Sequence, residues 1–133
     1  MKPSGITEKM VLGTAQFGMD YGIANISGKP TRKEVFDILD LAWEKGVRRF
    51  DTAPDYGSEA MLGEFIVANN LQDEAIMLTK IPSLEGASDY KKSIRLSLGS
   101  SLNNLSSSID VLFFHNSEDA GLLLEDPQFF KNL

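Results

Sequence analysis

The run Val47-Arg48-Arg49-Phe50-Asp51-Thr52-Ala53-Pro54-Asp55-Tyr56-Gly57-Ser58-Glu59 holds a strand, a loop and a helix start in succession. Val47 to Asp51 reads as a short strand despite its two arginines. Thr52 to Gly57 is the loop. Ser58 is an N-cap candidate, and Met61, Leu62, Phe65 and Ile66 give the following helix its apolar stripe as far as Ala68. A strand that feeds a loop and then an amphipathic helix is one βα unit.

The same unit recurs on both sides. Upstream, Met10 to Ala15 reads as a strand, followed by a long loop from Gln16 to Pro30 that contains Gly18, Gly22 and Gly28. Loops of that length are often functional. Thr31 and Glu34 have the spacing of a capping box, Val35, Ile38, Leu39 and Ala42 form a stripe, and Gly46 suits a left-handed C-terminal cap. Downstream, Ala75 to Lys80 is a third strand stopped by Pro82. A helix from Asp89 to Asn103 carries Ile94, Leu98 and Leu102, and Ile109 to His115 is a fourth strand. A short helix is expected after Pro127. Strands recur at intervals of roughly 30–36 residues, the period of repeated βα units with a parallel sheet. The expected class is α/β, with about four βα units and right-handed crossovers.

Composition narrows the function. Of 133 residues, 42% are hydrophobic and 24% charged, which is ordinary for a globular domain. The longest apolar runs, such as Val111-Leu112-Phe113-Phe114, are too short for a membrane span. The sequence has no cysteine, so disulfides and zinc–thiolate sites are excluded, and no metal site is expected. A net charge of −6 makes nucleic acid and anionic lipid poor partners, and the Lys29, Arg32, Lys33 cluster reads as a solvated helix start. No apolar segment follows Lys2 in the manner of a signal peptide, so a cytoplasmic location is expected.

Asp51 closes the second strand, Tyr56 lies in the loop beyond it, Lys80 closes the third strand, and His115, the only histidine, closes the fourth. Singly, each has a plain structural reading: a turn-forming Asp, a solvated Lys, a satisfied near-core His, an aromatic lid. Together they share one rim, because all strand C-termini of a parallel sheet face the same way, and ligands bind there. A phenol has an ordinary pKa near 10 and donates a proton more readily beside an ammonium, which a carboxylate can hold in place. An imidazole can orient a carbonyl oxygen. Such a set suits proton delivery to a C=O bond, with the hydride coming from a cofactor.

The segment Phe50-Asp51-Thr52-Ala53-Pro54-Asp55-Tyr56-Gly57-Ser58-Glu59, followed by Leu62-Gly63, resembles the aldo-keto reductase signature. Leu12-Gly13-Thr14, Leu78-Thr79-Lys80 and Phe114-His115-Asn116 resemble the ends of that family's first, third and fourth strands. The resemblance covers nearly the whole chain. It implies a partial TIM-type (β/α) barrel, with Tyr56 as proton donor, Lys80 tuning it, Asp51 pairing with Lys80, and His115 orienting the substrate carbonyl. It also implies that Gly13, Thr14 and Asp51 lie near the nicotinamide of NADPH, NADH being possible, and that Gln16, Phe17, Met19, Tyr21 and Asn116 line the pocket of a small carbonyl substrate. The absence of G-x-G-x-x-G and of a phosphate loop agrees with that extended, non-Rossmann mode of binding.

A complete barrel of this kind has eight βα units. The chain is therefore expected to be a single truncated N-terminal half-barrel spanning residues 1–133, without the later loops that hold most of the cofactor in the family. Weak NADPH binding by the chain alone is expected, and so is self-association through the exposed edges at Val11-Leu12 and Val111-Leu112-Phe113-Phe114. Two alternatives to an active reductase stay open. One is a catalytically silent half-barrel, a gene remnant or interaction module. The other is an unrelated α/β binding domain with an accidental polar rim.

Overall fold

The computed structural model describes residues 5–133, so the reading of Met1 to Ser4 as leader-free lies outside the described residues. Four strands, β1 (Val11–Gly13), β2 (Arg49–Asp51), β3 (Ile76–Ile81) and β4 (Val111–Phe114), form one parallel sheet in chain order. The helices are α1 (Ala15–Gly18), α2 (Arg32–Glu44), α3 (Glu59–Ala68), α4 (Tyr90–Leu105), α5 (Leu122–Glu125) and α6 (Pro127–Lys131). Every strand is thus followed by helix, which is the α/β arrangement the apolar periodicity predicts.

Strand alternation sorts the sheet into two faces. Phe50, Met77, Thr79 and Ile81 are buried beneath the helices. Val11, Gly13, Asp51, Leu78, Lys80 and Phe113 point the other way and, with Phe114, line an open groove of about 540 Å³. In register, Gly13 lies beside Asp51, Asp51 beside Leu78, and Leu78 beside Val111. β1 and β4 are the sheet edges.

The apolar interior is divided. One cluster joins Phe17, Val35, Leu39, Phe50, Leu62, Phe65, Ile66, Met77 and Leu105 under β1 to β3. A second joins Ile81, Leu84, Ile94 and Phe129, with Leu112 and Phe114 packed against it, under β3 and β4.

The arginines of the second strand find separate solutions. Arg48 lies before β2, where its guanidinium stacks 3.8 Å from the Trp43 ring and donates to the Trp43 and Val47 carbonyls. Arg49 donates to the Glu8 carbonyl in a 3-10 turn, Ile6–Lys9, that the sequence reading treats only as a polar N-terminus.

The Thr31–Glu34 capping box forms as expected, and its hydrogen bonds from the Thr31 backbone and hydroxyl hold the Glu34 carboxyl below its usual range. Gly46 takes φ 92°, and the bonds Gly46 N–H to Trp43 O and Val47 N–H to Ala42 O close a Schellman motif.

Several local expectations are corrected. Ala15 belongs to α1 and not to the first strand, and the loop read from Gln16 begins inside that helix. Ile38 is exposed: Phe36 and Trp43 pack against the first cluster beside Val35 and Leu39, which rolls Ile38 outward. On α4 the buried positions are Ile94, Ser101 and Leu105, and Leu102 is exposed, so the buried stripe drifts from the i, i+4, i+8 spacing of the leucines. Ser58 occupies the N-cap position of α3 without capping it, because its hydroxyl is engaged elsewhere. Pro127 opens α6 as predicted. The 3-10 turn at Ser117–Gly121 and α5 were not distinguishable from loop in the sequence.

Candidate active site

The rim residues converge. Lys80 Nζ donates to Asp51 Oδ1 at 2.8 Å and to the Thr52 carbonyl at 2.9 Å. Both side chains are largely withdrawn from solvent, 15% exposed for Lys80 and 31% for Asp51. The same ammonium stands 4.9 Å from the centroid of the Tyr56 ring. The His115 ring meets the Tyr56 ring edge-on at 6.0 Å. Four side chains from three strand ends and one loop thus gather at one rim of the sheet, and two of them, Asp51 and Lys80, also line the groove beside the open space over Gly13.

The local structure explains how Tyr56 arrives there. Pro54 to Tyr56 form a 3-10 turn, and Gly57 ends it at φ 70°, a left-handed conformation that favours glycine. The turn is braced by α1. A Cβ on Gly18 would collide with the Tyr56 carbonyl and the Gly57-Ser58 backbone, so the closeness of α1 to the tyrosine turn depends on that glycine.

The sequence pattern of the Aldo/keto reductase family matches residues 9–124. The chain belongs to the aldo-keto reductase family. It is 31% identical over 133 aligned residues to a Saccharomyces cerevisiae protein assigned as an aryl-alcohol dehydrogenase, covering 86% of this chain and 61% of that protein. It is 35% identical over 121 residues to norsolorinic acid reductase of Emericella nidulans, covering 80% of this chain and 31% of that enzyme. A Pseudomonas aeruginosa crystal structure assigned to the aldo-keto reductases superposes with a TM-score of 0.72 at 30% identity, covering 92% of this chain and 49% of that one. A Bombyx mori aldo-keto reductase solved in complex with NADP superposes with a TM-score of 0.60 at 28% identity, covering 79% and 33%. The chain thus spans 61% or less of the length of each of these relatives.

Within this aldo-keto reductase chain, the loop residues expected around a substrate separate. Met19 and Tyr21 are exposed after α1. Gln16 is also exposed, but its amide donates to the Tyr21 carbonyl and organises the loop. Phe17 is 5% exposed and belongs to the first apolar cluster, so it is a core residue and not a pocket residue. Thr14 is completely buried, and its hydroxyl donates to the Asp51 carbonyl and bonds Ser58 Oγ, so that side chain is unavailable to a cofactor. The side chain of Asn116 accepts from the Glu118 N–H and caps the turn after β4.

Two features escape the sequence reading. Asp55 Oδ2 lies 3.6 Å from His115 Nδ1, placing a carboxylate beside the imidazole. Its position next to Tyr56 was the available signal. The other is a belt of buried polar groups on the helix side of the sheet. Thr14, Thr52 and Ser58 are linked by hydroxyl bonds of 2.9 and 3.2 Å, and Glu59 is bonded to Thr79 and Ser101. Because Thr14 Oγ1 gives its hydrogen to Asp51 O, Ser58 must donate to Thr14 and Thr52 to Ser58. These contacts bridge strands far apart in sequence, so no local pattern shows them.

Among the described residues no helix is long and apolar enough to cross a membrane.

Proposed function

We propose that this chain carries the proton-transfer side of an NAD(P)H-dependent carbonyl reductase site. The observation that supports the reading is the seat of Lys80 Nζ between Asp51, the Thr52 carbonyl and the face of Tyr56. Tyr56 acts as general acid and gives its phenolic proton to the substrate carbonyl oxygen. Lys80, held by Asp51, stabilises the phenolate that remains. His115 hydrogen-bonds the same carbonyl oxygen and fixes its direction. Held beside Gly13 and Asp51, NADPH, or NADH in its place, would supply the hydride for the carbonyl carbon.

The groove fits the reactive end of such a cofactor. Gly13 leaves open space where a side chain would stand, and Asp51 flanks it. Lys80 is the only cation among the groove's lining residues and is already engaged by Asp51, so a diphosphate finds no free positive charge there. NADPH binding by the chain alone is accordingly weak. Aryl aldehydes are the first substrates to try, given the aryl-alcohol dehydrogenase assignment of the yeast relative.

The test is NADPH oxidation with an aryl aldehyde by the purified chain and by Tyr56→Phe. A loss of about 10²–10⁴-fold in the variant supports the reading, and equal rates in both overturn it. A second reading, a catalytically silent half-barrel, is favoured by the unpaired edges of β1 and β4 and by the open groove. No turnover in either protein selects it.

A further inference from the structure

Glu59 is the only ionisable side chain among the described residues that is buried, at 3% exposure, and the proton-transfer reading gives it no task. Its carboxyl oxygens both accept hydrogen bonds, Oε1 from Thr79 Oγ1 at 2.7 Å and Oε2 from Ser101 Oγ at 3.1 Å. A carboxyl group in such a place is costly unless its partners are fixed, and losing one partner is more costly still. Its position in the chain is also specific. It opens α3 directly after the Tyr56-Gly57-Ser58 turn, and the hydroxyl it holds belongs to Thr79, the neighbour of Lys80 on β3.

We propose that Glu59 is a positioning residue for Lys80: by clamping Thr79 from the helix side of the sheet, it fixes the end of β3 so that Lys80 emerges on the groove side within reach of Asp51. Successive strand residues point to opposite faces, so a side chain anchored on one face sets the direction of the next on the other. Ser58, the residue before Glu59, does the same for the neighbouring strand ends. Its hydroxyl bonds Thr14 and Thr52, which follow Gly13 and Asp51. The pair Ser58-Glu59 therefore ties the tyrosine turn to the ends of β1, β2 and β3. A purely space-filling role would need no carboxyl group and no pair of hydroxyl donors.

The inference rests on the proton-transfer reading only for the importance of Lys80, and its test needs no turnover. The probe is the side-chain ammonium signal of Lys80 in a ¹H–¹⁵N spectrum of the ¹⁵N-labelled full chain, assigned with Lys80→Met. An ammonium held by Asp51 and the Thr52 carbonyl exchanges its protons slowly enough to be seen. Thr79→Val keeps the side-chain shape and removes the hydroxyl; Glu59→Leu keeps much of the bulk and removes both acceptor oxygens. In both, the Lys80 signal is expected to exchange about tenfold faster or vanish, the factor that losing one buried hydrogen bond carries. Thr79→Ser, which retains the hydroxyl, is expected to keep it. The proposal is overturned if Thr79→Val, with a dispersed amide spectrum, leaves the Lys80 exchange rate within about twofold of the wild type. It is equally overturned if the wild-type chain shows no Lys80 signal. Should Glu59→Leu fail to fold, the Thr79 pair decides. An inactive chain with these spectral outcomes would reject the proton-transfer reading and leave the positioning of Lys80 standing.

Discussion

Lys80 Nζ meets Asp51 Oδ1 at 2.8 Å across two parallel strands whose register pairs Asp51 with Leu78, so the ion pair is a diagonal contact on the groove face. Diagonal neighbours in a sheet lie within reach of a long side chain. The pair is neither fully exposed nor fully buried, and the lysine has no other carboxylate partner among the ion pairs of the described residues. Asp51→Asn should therefore destabilise the chain by about 2 kcal/mol, between the values for exposed and buried pairs. Urea denaturation measures it, and a midpoint equal to wild type would show that the pair adds nothing.

Gly18→Ala tests the brace between α1 and the tyrosine turn. The new methyl group has only backbone to push against, so relief must come from moving the turn. A loss of about 1–3 kcal/mol is expected, together with amide shift changes centred on Tyr56, Gly57 and Ser58. Changes confined to α1 would contradict the close approach.

The sheet edges predict an oligomer. Val11, Val111 and Phe113 are 45%, 39% and 45% exposed on the two strands that end the sheet. Sheets with such edges pair with further strands. Sedimentation of the purified chain should show concentration-dependent association, reduced by Phe113→Lys, which places a charge on the edge. A single monomeric species at all concentrations, with cooperative unfolding, would refute this.

Acid should loosen the C-terminal segment. Lys91, through its hydrogen bond, and then the Phe129 N–H hold the Asp126 carboxyl below its usual range, and the Tyr90 hydroxyl adds a bond of 3.2 Å. Because the folded-state value is the lower one, the contribution to stability is complete above the ordinary aspartate pKa of about 3.9 and fades as pH falls through the depressed value. Aromatic resonances of Tyr90 and Phe129 should report undocking of α6 below that pH and not above it. Asp126→Asn should abolish the transition.

The alternation of strand and helix was readable because burial on one face leaves a period in the sequence. Phe50, Met77 and the stripe of α3 declare themselves in this way. The four rim residues were readable because topology alone brings strand C-termini together. What could not be read depends on contacts between distant segments. Nothing near Phe17 says that α1 turns its ring into the core, and nothing near Thr14 says that its hydroxyl is occupied by Ser58, 44 residues away. Ser58 shows the limit most directly: its position before a helix is that of a cap, yet a neighbouring strand claims the hydroxyl. Leu102 and Ile38 were misplaced because helical periodicity fixes a stripe only to within a residue, and on α2 the large rings of Phe36 and Trp43 decide the rest.

The divided interior has a consequence for how the site behaves in time. Asp51 and Tyr56 flank elements packed on the first apolar cluster, whereas His115 follows β4, whose Leu112 and Phe114 pack on the second with α6. Regions with their own small core open at lower free energy than the whole molecule. Opening of the second cluster would therefore disturb His115, and the end of β3 that carries Lys80, before it reaches Asp51 and Tyr56. The rim spans two packing units, and Lys80 sits at the seam between them.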